Sequence, residues 1–194
     1  MTEQDAGLRA RLVRVGVDLV TTEGLSALSL REIARRAGVS HGAPRRYFPT
    51  HLALLSAIAR EGFADLTARV TAALGESPGH PFAQLTTLGR QYVEFGRTNR
   101  GMFELMFRHD LLESNQFGLR ETSLPLFRLL VEIVDRARPG STVPVPVIAG
   151  ALWANLHGIV QLWNWGSLPL ATGSDDVEPL LRAALDAHLG PRPR

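Results

Sequence analysis

From Leu12 onward apolar residues return at three- and four-residue steps, and no stretch alternates for long enough to build a sheet. Leu12, Val13, Gly16, Val17 and Val20 set the pattern and Gly24 stops it, so the chain is read as all-α. Ser29-Leu30-Arg31-Glu32 has the form of a capping box, in which the Ser29 hydroxyl accepts the amide of Glu32 and the Glu32 carboxylate reaches back to the cap amide. The short helix it opens carries Leu30, Ile33, Ala34 and Ala37 on one face and ends at Gly38. Ser40 is placed as the N-cap of another short helix running to Tyr47 or Phe48, which Pro49 closes. With that cap, Pro44 falls at the fourth helical position and distorts the first turn; the alternative is a helix that starts later. Thr50 caps a longer helix whose apolar positions are Leu52, Leu55, Ala59, Phe63, Leu66 and Val70. Gly75-Glu76-Ser77-Pro78-Gly79-His80-Pro81 is the clearest break. Beyond it the pattern predicts helices over 82–97, 100–110, 115–137, 144–167 and 175–188. Arg138-Pro139-Gly140 and Gly166-Ser167-Leu168-Pro169 punctuate them, and Pro125 is expected to kink or restart its helix.

Composition removes whole classes of chemistry. With 194 residues, 45% of them hydrophobic, the chain can bury the core of one ordinary domain or two small ones. Cysteine is absent, which excludes disulfides, thiolate metal sites and cysteine nucleophiles. All 21 basic residues are arginine, so a Schiff-base or phosphate-loop lysine is impossible. No nucleophile elbow, His-Glu-x-x-His pair or phosphate-binding glycine loop is present, and Arg108-His109-Asp110 are neighbours that point in different directions along a helix. No enzymatic activity, metal or cofactor is therefore expected. An all-α enzyme using His109 or His157 as a base, and a helical adaptor docking through the 144–167 face, are the rival readings.

The formal net charge is only +2, but it is unevenly placed. Residues 1–51 hold eight arginines (Arg9, Arg11, Arg14, Arg31, Arg35, Arg36, Arg45, Arg46) against five acids, whereas the rest holds 13 against 14. The start, Met1 to Asp5, is acidic and polar, with no basic leader before an apolar run, and the expected address is the cytoplasm. The most apolar stretch, Val147 to Val160, is interrupted by Asn155 and His157 and falls short of the roughly 20 apolar residues of a spanning helix. It is read as a buried helix, with no membrane as partner.

The basic excess coincides with a helix-turn-helix pattern. Ser29 to Phe48 has the length of a capped helix, a turn through Gly38-Val39 and a second helix, with Gly38 supplying a positive φ and Val39 pinning the two helices over Ile33, Ala34 and Ala37. Such a unit lays its second helix in the major groove of duplex DNA. The arginines at 31, 35, 36, 45 and 46 lie on this unit.

Residues 12–55 resemble the DNA-binding segment of the TetR family of transcriptional regulators. The resemblance is carried by Gly24, Ser29-Leu30-Arg31-Glu32-Ile33-Ala34, Ala37-Gly38-Val39-Ser40, Gly42, Arg46-Tyr47-Phe48 and Leu54-Leu55. Downstream, Trp153 with His157-Gly158, and Met102-Phe103-Glu104-Leu105-Met106-Phe107, resemble the family's WHG subgroup. The resemblance implies a helix-turn-helix domain over 1–50 and a helical effector-binding and dimerisation domain over 51–194. It also implies a homodimeric repressor that binds a palindromic operator and is released by a small apolar effector. The chain departs from the family's usual residues at Arg45, where an aromatic is common, at Tyr47, where a histidine is, and at His51, where a lysine is.

On this reading Ser29, Arg31, Tyr47 and His51 touch phosphates, and His41, Gly42, Arg45 and Arg46 read bases, Arg45 having the reach for the O6/N7 edge of guanine. Ser40 adds a helix N-terminus suited to a phosphate. The aromatic residues downstream are core by default, Trp163 and Trp165 included. Tyr92, Phe95, Phe103, Phe107, Phe127, Trp153 and His157 are the candidate effector contacts, with Asn155, Gln161 and Asn164 as polar neighbours. Helices 144–167 and 175–188 are expected to form the dimer bundle, with Leu152, Leu156, Ile159 and Leu162 along its seam.

Overall fold

Every described element is helical, as the three- and four-residue spacing of apolar residues requires. The structure, a computed structural model, describes residues 3–76 and 79–190. Met1 and Thr2 of the acidic start, and Ser77 and Pro78 of the predicted break, lie outside the described residues. In chain order the helices are α1 (Glu3–Glu23), α2 (Leu30–Arg36), α3 (Ala43–Tyr47), α4 (His51–Glu76), α5 (Pro81–Thr98), α6 (Arg100–Met106), α7 (His109–Ser114), α8 (Leu119–Ala137), α9 (Val145–Asn164), α10 (Ser167–Thr172) and α11 (Glu178–Leu189). Short 3-10 turns cover Leu25–Ala27 and Gln116–Gly118.

The helices fall into two compact units. The first takes the chain up to Asp65 together with Asn99–Ser123, so α6, α7 and the first residues of α8 belong with α1, α2, α3 and the start of α4. Leu12, Leu19, Ile33, Phe48, Leu54, Leu55 and Ile58 are fully buried in it. α6 lies against the C-terminal end of α1 so closely that a Cβ on Gly101 would sit 2.5 Å from the Val20 carbonyl oxygen, which is why this position has no side chain.

The second unit holds Leu66–Thr98 and the chain from Leu124 on. Helices α5, α9 and α11 pack on one another, and α10 packs on α9. Leu85, Tyr92, Phe95, Leu152, Leu156, Val160, Leu181 and Leu185 are buried there. Arg90 on α5 donates to the Glu178 carboxylate at the start of α11, and the Arg97 guanidinium stands 5.0 Å above the Trp163 ring.

Several local expectations are corrected. The predicted 100–110 helix is two helices: Arg108 is extended, its side chain pairs with Asp110, and the Phe107 ring packs edge-on against Phe63. The first residues of the predicted 115–137 helix form a left-handed turn, after which α8 runs through Pro125 as one helix without restarting. The 144–167 helix stops at Asn164, and Gly166, at φ 77°, opens α10 in place of the expected loop; Pro169 is tolerated there because it falls in the first turn, where amides have no helical acceptor. Val147–Val160 is not buried all round. Only one face of α9 enters the core, and that face contains Leu152, Leu156 and Ile159, so these three cannot line a seam with a second copy. Leu162 is 40% exposed, and Trp165, expected in the core, is 71% exposed.

Candidate nucleic-acid interface and effector site

The first site is built from local signals. Ser29 caps α2, its hydroxyl oxygen accepting the Glu32 amide at 3.1 Å. The return half of the expected box does not form. Both Glu32 oxygens instead accept from guanidiniums one turn on, from Arg35 at 2.6 and 2.9 Å and from Arg36 at 2.7 Å. Those hydrogen bonds, from Arg35 first and then Arg36, hold the Glu32 carboxyl down to about 2. Arg36 also reaches Glu23, the last residue of α1, at 2.7 Å. Arg35 and Arg36 are therefore charge-compensated within the protein, which the count of basic residues alone could not reveal.

The turn after α2 is a Schellman motif: Gly38 donates to the Arg35 carbonyl at 3.2 Å and Val39 to the Ala34 carbonyl at 3.1 Å, with Gly38 at φ 65°. The chain then enters α3 at Ala43, not after Ser40. Pro44 sits in the first two positions of that helix, where its missing N–H costs nothing, and Ser40 contributes its carbonyl, accepting from Ala43 at 3.0 Å. The later start is thus the correct alternative, and the expectation of Ser40 as side-chain cap is not met. Pro44 and Phe48 point inward, leaving Arg45 and Arg46 exposed on the opposite side. Thr50 caps α4 as expected, its hydroxyl accepting from Ala53 at 3.0 Å.

The nine sequence-predicted contact residues all fall on α2, α3, the turn between them and the start of α4. Ser29, Arg31, Ser40, His41, Gly42, Arg45, Arg46 and His51 are exposed, and Tyr47 is half-buried beneath the Arg46 guanidinium, 6.0 Å away. Among the described residues Arg31 and Arg45 make no ion pair. This part of the molecule offers exposed cations, a hydroxyl and ring nitrogens on a rigid, buried support, which is what phosphate and base-edge recognition requires.

The second site lies in the second unit and is hydrogen-bonded. Tyr92, buried on α5, accepts the Trp153 indole N–H at 3.0 Å, and its hydroxyl lies 2.8 Å from His157 Nδ1. A neutral His157 fits this: Nε2 accepts from the Gln161 side-chain amide nitrogen at 3.3 Å, which leaves the proton on Nδ1 to be donated to the Tyr92 oxygen. Burial pushes the Tyr92 phenol up and the His157 imidazolium down, so both rest uncharged. The Phe127 ring meets Trp153 edge-on with centroids 6.0 Å apart. Four of the seven predicted effector residues, Tyr92, Phe127, Trp153 and His157, are thus joined. Phe95 is core on the same helix as Tyr92, with the Arg69 guanidinium 5.6 Å from its ring. Phe103 and Phe107 belong to the first unit, where they pack on each other at 4.9 Å.

Two protein families match the chain. One described as bacterial regulatory proteins, tetR family, matches residues 12–58, and one described as tetracyclin repressor-like, C-terminal domain, matches residues 85–188. Uncharacterized HTH-type transcriptional regulators of Mycobacterium bovis and Mycobacterium tuberculosis are 30% identical over 190 residues, covering 93% of this chain and 93% of theirs. Among solved structures, a protein of unknown function from Rhodococcus sp. RHA1 is 31% identical, covers 94% of this chain and 93% of its own, and superposes with a TM-score of 0.79. The multidrug binding protein EbrR, solved with imidazole, is 26% identical, covers 96% of each chain and superposes with a TM-score of 0.59.

Proposed function

The chain belongs to the TetR family and is a DNA-binding transcriptional regulator, and from that premise we propose that it is a homodimeric, ligand-responsive repressor of the cytoplasm. Residues 1–50 read a palindromic operator, and residues 51–194 dimerise and bind a small apolar effector. The observation that carries the reading is the division of α3 into an inward side, Pro44 and Phe48, and an outward side, Arg45 and Arg46. It supports α3 lying in the major groove, with His41, Gly42, Arg45 and Arg46 at base edges and Ser29, Arg31, Ser40, Tyr47 and His51 at phosphates.

The outer face of α9 supports the dimer. No charged residue occurs between Val145 and Asn164. Val147, Ala151, Ala154, Leu162 and Trp165, spaced by three, four and eight residues, form an exposed small-and-apolar stripe. Small residues let two helices approach closely, and a charge-free stripe loses little on being covered. This stripe replaces the Leu152, Leu156, Ile159 and Leu162 seam, of which it retains Leu162. Two heads joined this way meet successive major grooves roughly 34 Å apart.

For the effector, Tyr92, Phe127, Trp153 and His157 are the linked group, with Phe95 of the same unit as a further apolar contact. EbrR binds multiple drugs, and its likeness supports a small molecule as the regulator here. The effector acts as a population shift, binding best to the dimer whose heads do not match the operator, with a coupling on the order of 1–3 kcal/mol. Selection of bound sequences from random duplexes tests the operator: a two-fold symmetric site is expected, and no enrichment overturns the reading. Arg45→Ala is expected to cost about 1–3 kcal/mol and relax preference at one position of that site. A uniform loss across sequences moves Arg45 to the phosphates.

A further inference from the structure

The turn between α7 and α8 holds two non-glycine residues in the left-handed region, Asn115 at φ 47° and Phe117 at φ 56°. L residues rarely adopt such backbone, and it persists where surrounding contacts over-determine it. Several contacts do so here. The Asn115 side-chain oxygen accepts the Arg120 amide at 2.7 Å, securing the start of α8. The Phe117 carbonyl accepts from Arg60 of α4 at 2.6 Å. The Phe117 ring meets the fully buried Phe48 ring edge-on, with centroids 5.8 Å apart. The Arg9 guanidinium of α1 stands 5.0 Å from the Phe117 ring centre and 5.6 Å from that of Phe48. Phe48 is the residue that ends α3, its amide closing the last turn on the Pro44 carbonyl at 2.9 Å. One residue of an irregular turn, far along the chain from α3, therefore touches α1, α4 and the end of α3 at once.

We propose that Phe117 is a positioning residue for DNA reading: held in its left-handed turn, it fixes the end of α3 against α1 and so sets the direction in which Arg45 and Arg46 are presented. The proposal rests on the reading of α3 as the groove-facing helix. Phe117 touches no nucleic acid; it acts through Phe48 and Arg9. A residue with this role controls discrimination between sequences, because base contacts demand exact direction, and leaves phosphate attraction intact.

The test uses the full chain with Phe117→Ala, Phe117→Gly and Phe117→Tyr. Each is titrated on the selected duplex and on a random-sequence duplex of equal length, over a range of salt. Phe117→Ala and Phe117→Gly are expected to lose about tenfold in affinity for the selected duplex, within the range for residues coupled to a site from outside it. Both are expected to keep wild-type affinity and salt dependence on the random duplex, and Phe117→Tyr, which keeps the ring, to match wild type on both. Phe117→Gly removes the backbone strain along with the ring, so wild-type binding by that variant overturns the proposal. Equal losses on both duplexes overturn it too, since they mark a folding defect. Absence of any sequence preference in the wild-type protein is a different failure, that of the groove-facing reading of α3, and it takes the role of Phe117 with it.

Discussion

Along α2 and α3 of the first unit, Ile33, Ala34, Pro44 and Phe48 point into the core while Arg31, Arg45 and Arg46 point to solvent. In the second unit, Tyr92, Trp153 and His157 are packed among α5 and α9 and are also the residues on which an effector would act. A surface that reads DNA can thus be retuned without touching the fold that carries it. A site built from side chains hydrogen-bonded to one another, from buried Tyr92 to exposed Trp153, cannot, because each contact residue also holds its neighbours in place.

The largest expected effect separates support from contact in the first unit. Ile33 is fully buried, and Ile33→Ala is expected to cost about 2–5 kcal/mol in denaturant unfolding and to take selected-duplex binding with it. A variant that keeps its stability would break the division between inward and outward residues. Next comes the second unit. Tyr92→Phe removes the oxygen that accepts from Trp153 and faces His157, and is expected to cost about 1–3 kcal/mol of stability while also changing the response to any effector found by ligand screening. An effect on stability alone would assign the trio to the core. The smallest effect is a pH dependence. Burial depresses the folded-state value of His157, so its contribution to stability is complete above the ordinary histidine value of about 6.5 and declines as pH falls below it. The difference in melting temperature between wild type and His157→Asn, followed from pH 8 to pH 5, is expected to stay constant on the alkaline side and to move against the wild type as pH falls below about 6.5.

The helix-turn-helix was legible because its signals are local. The Ser29 and Thr50 caps and the positive φ of Gly38 are each satisfied within a few residues. The start of α3 was less so, since Ser40 and Gly42 both stand ahead of the helix and only the position of Pro44 decides between them. The break at Phe107 and Arg108 comes from ring packing against Phe63, contributed by a distant part of the chain. α9 deceived for a physical reason. A helix with no charge on any side shows two apolar stripes, and spacing cannot say which one, Leu152-Leu156-Ile159 or Val147-Ala151-Ala154, the fold will cover. In the site itself, the pairing of Glu32 with Arg35 and Arg36 was readable from steps of three and four. The reach of Arg36 to Glu23 and of Phe117 to Phe48 was not.

Central to the proposed function is that the unpaired cations of α2 and α3 lie on the phosphates and bases of duplex DNA, whereas the paired ones do not. The salt dependence of binding to the selected duplex tests it directly, by comparing Arg31→Ala with Arg35→Ala on the same helix. Arg31→Ala is expected to reduce the slope of log affinity against log salt by about one, the signature of a lost phosphate contact, and Arg35→Ala, whose partner is Glu32, to leave it unchanged. Equal slopes for Arg31→Ala and wild type, or a larger change for Arg35→Ala, would contradict it.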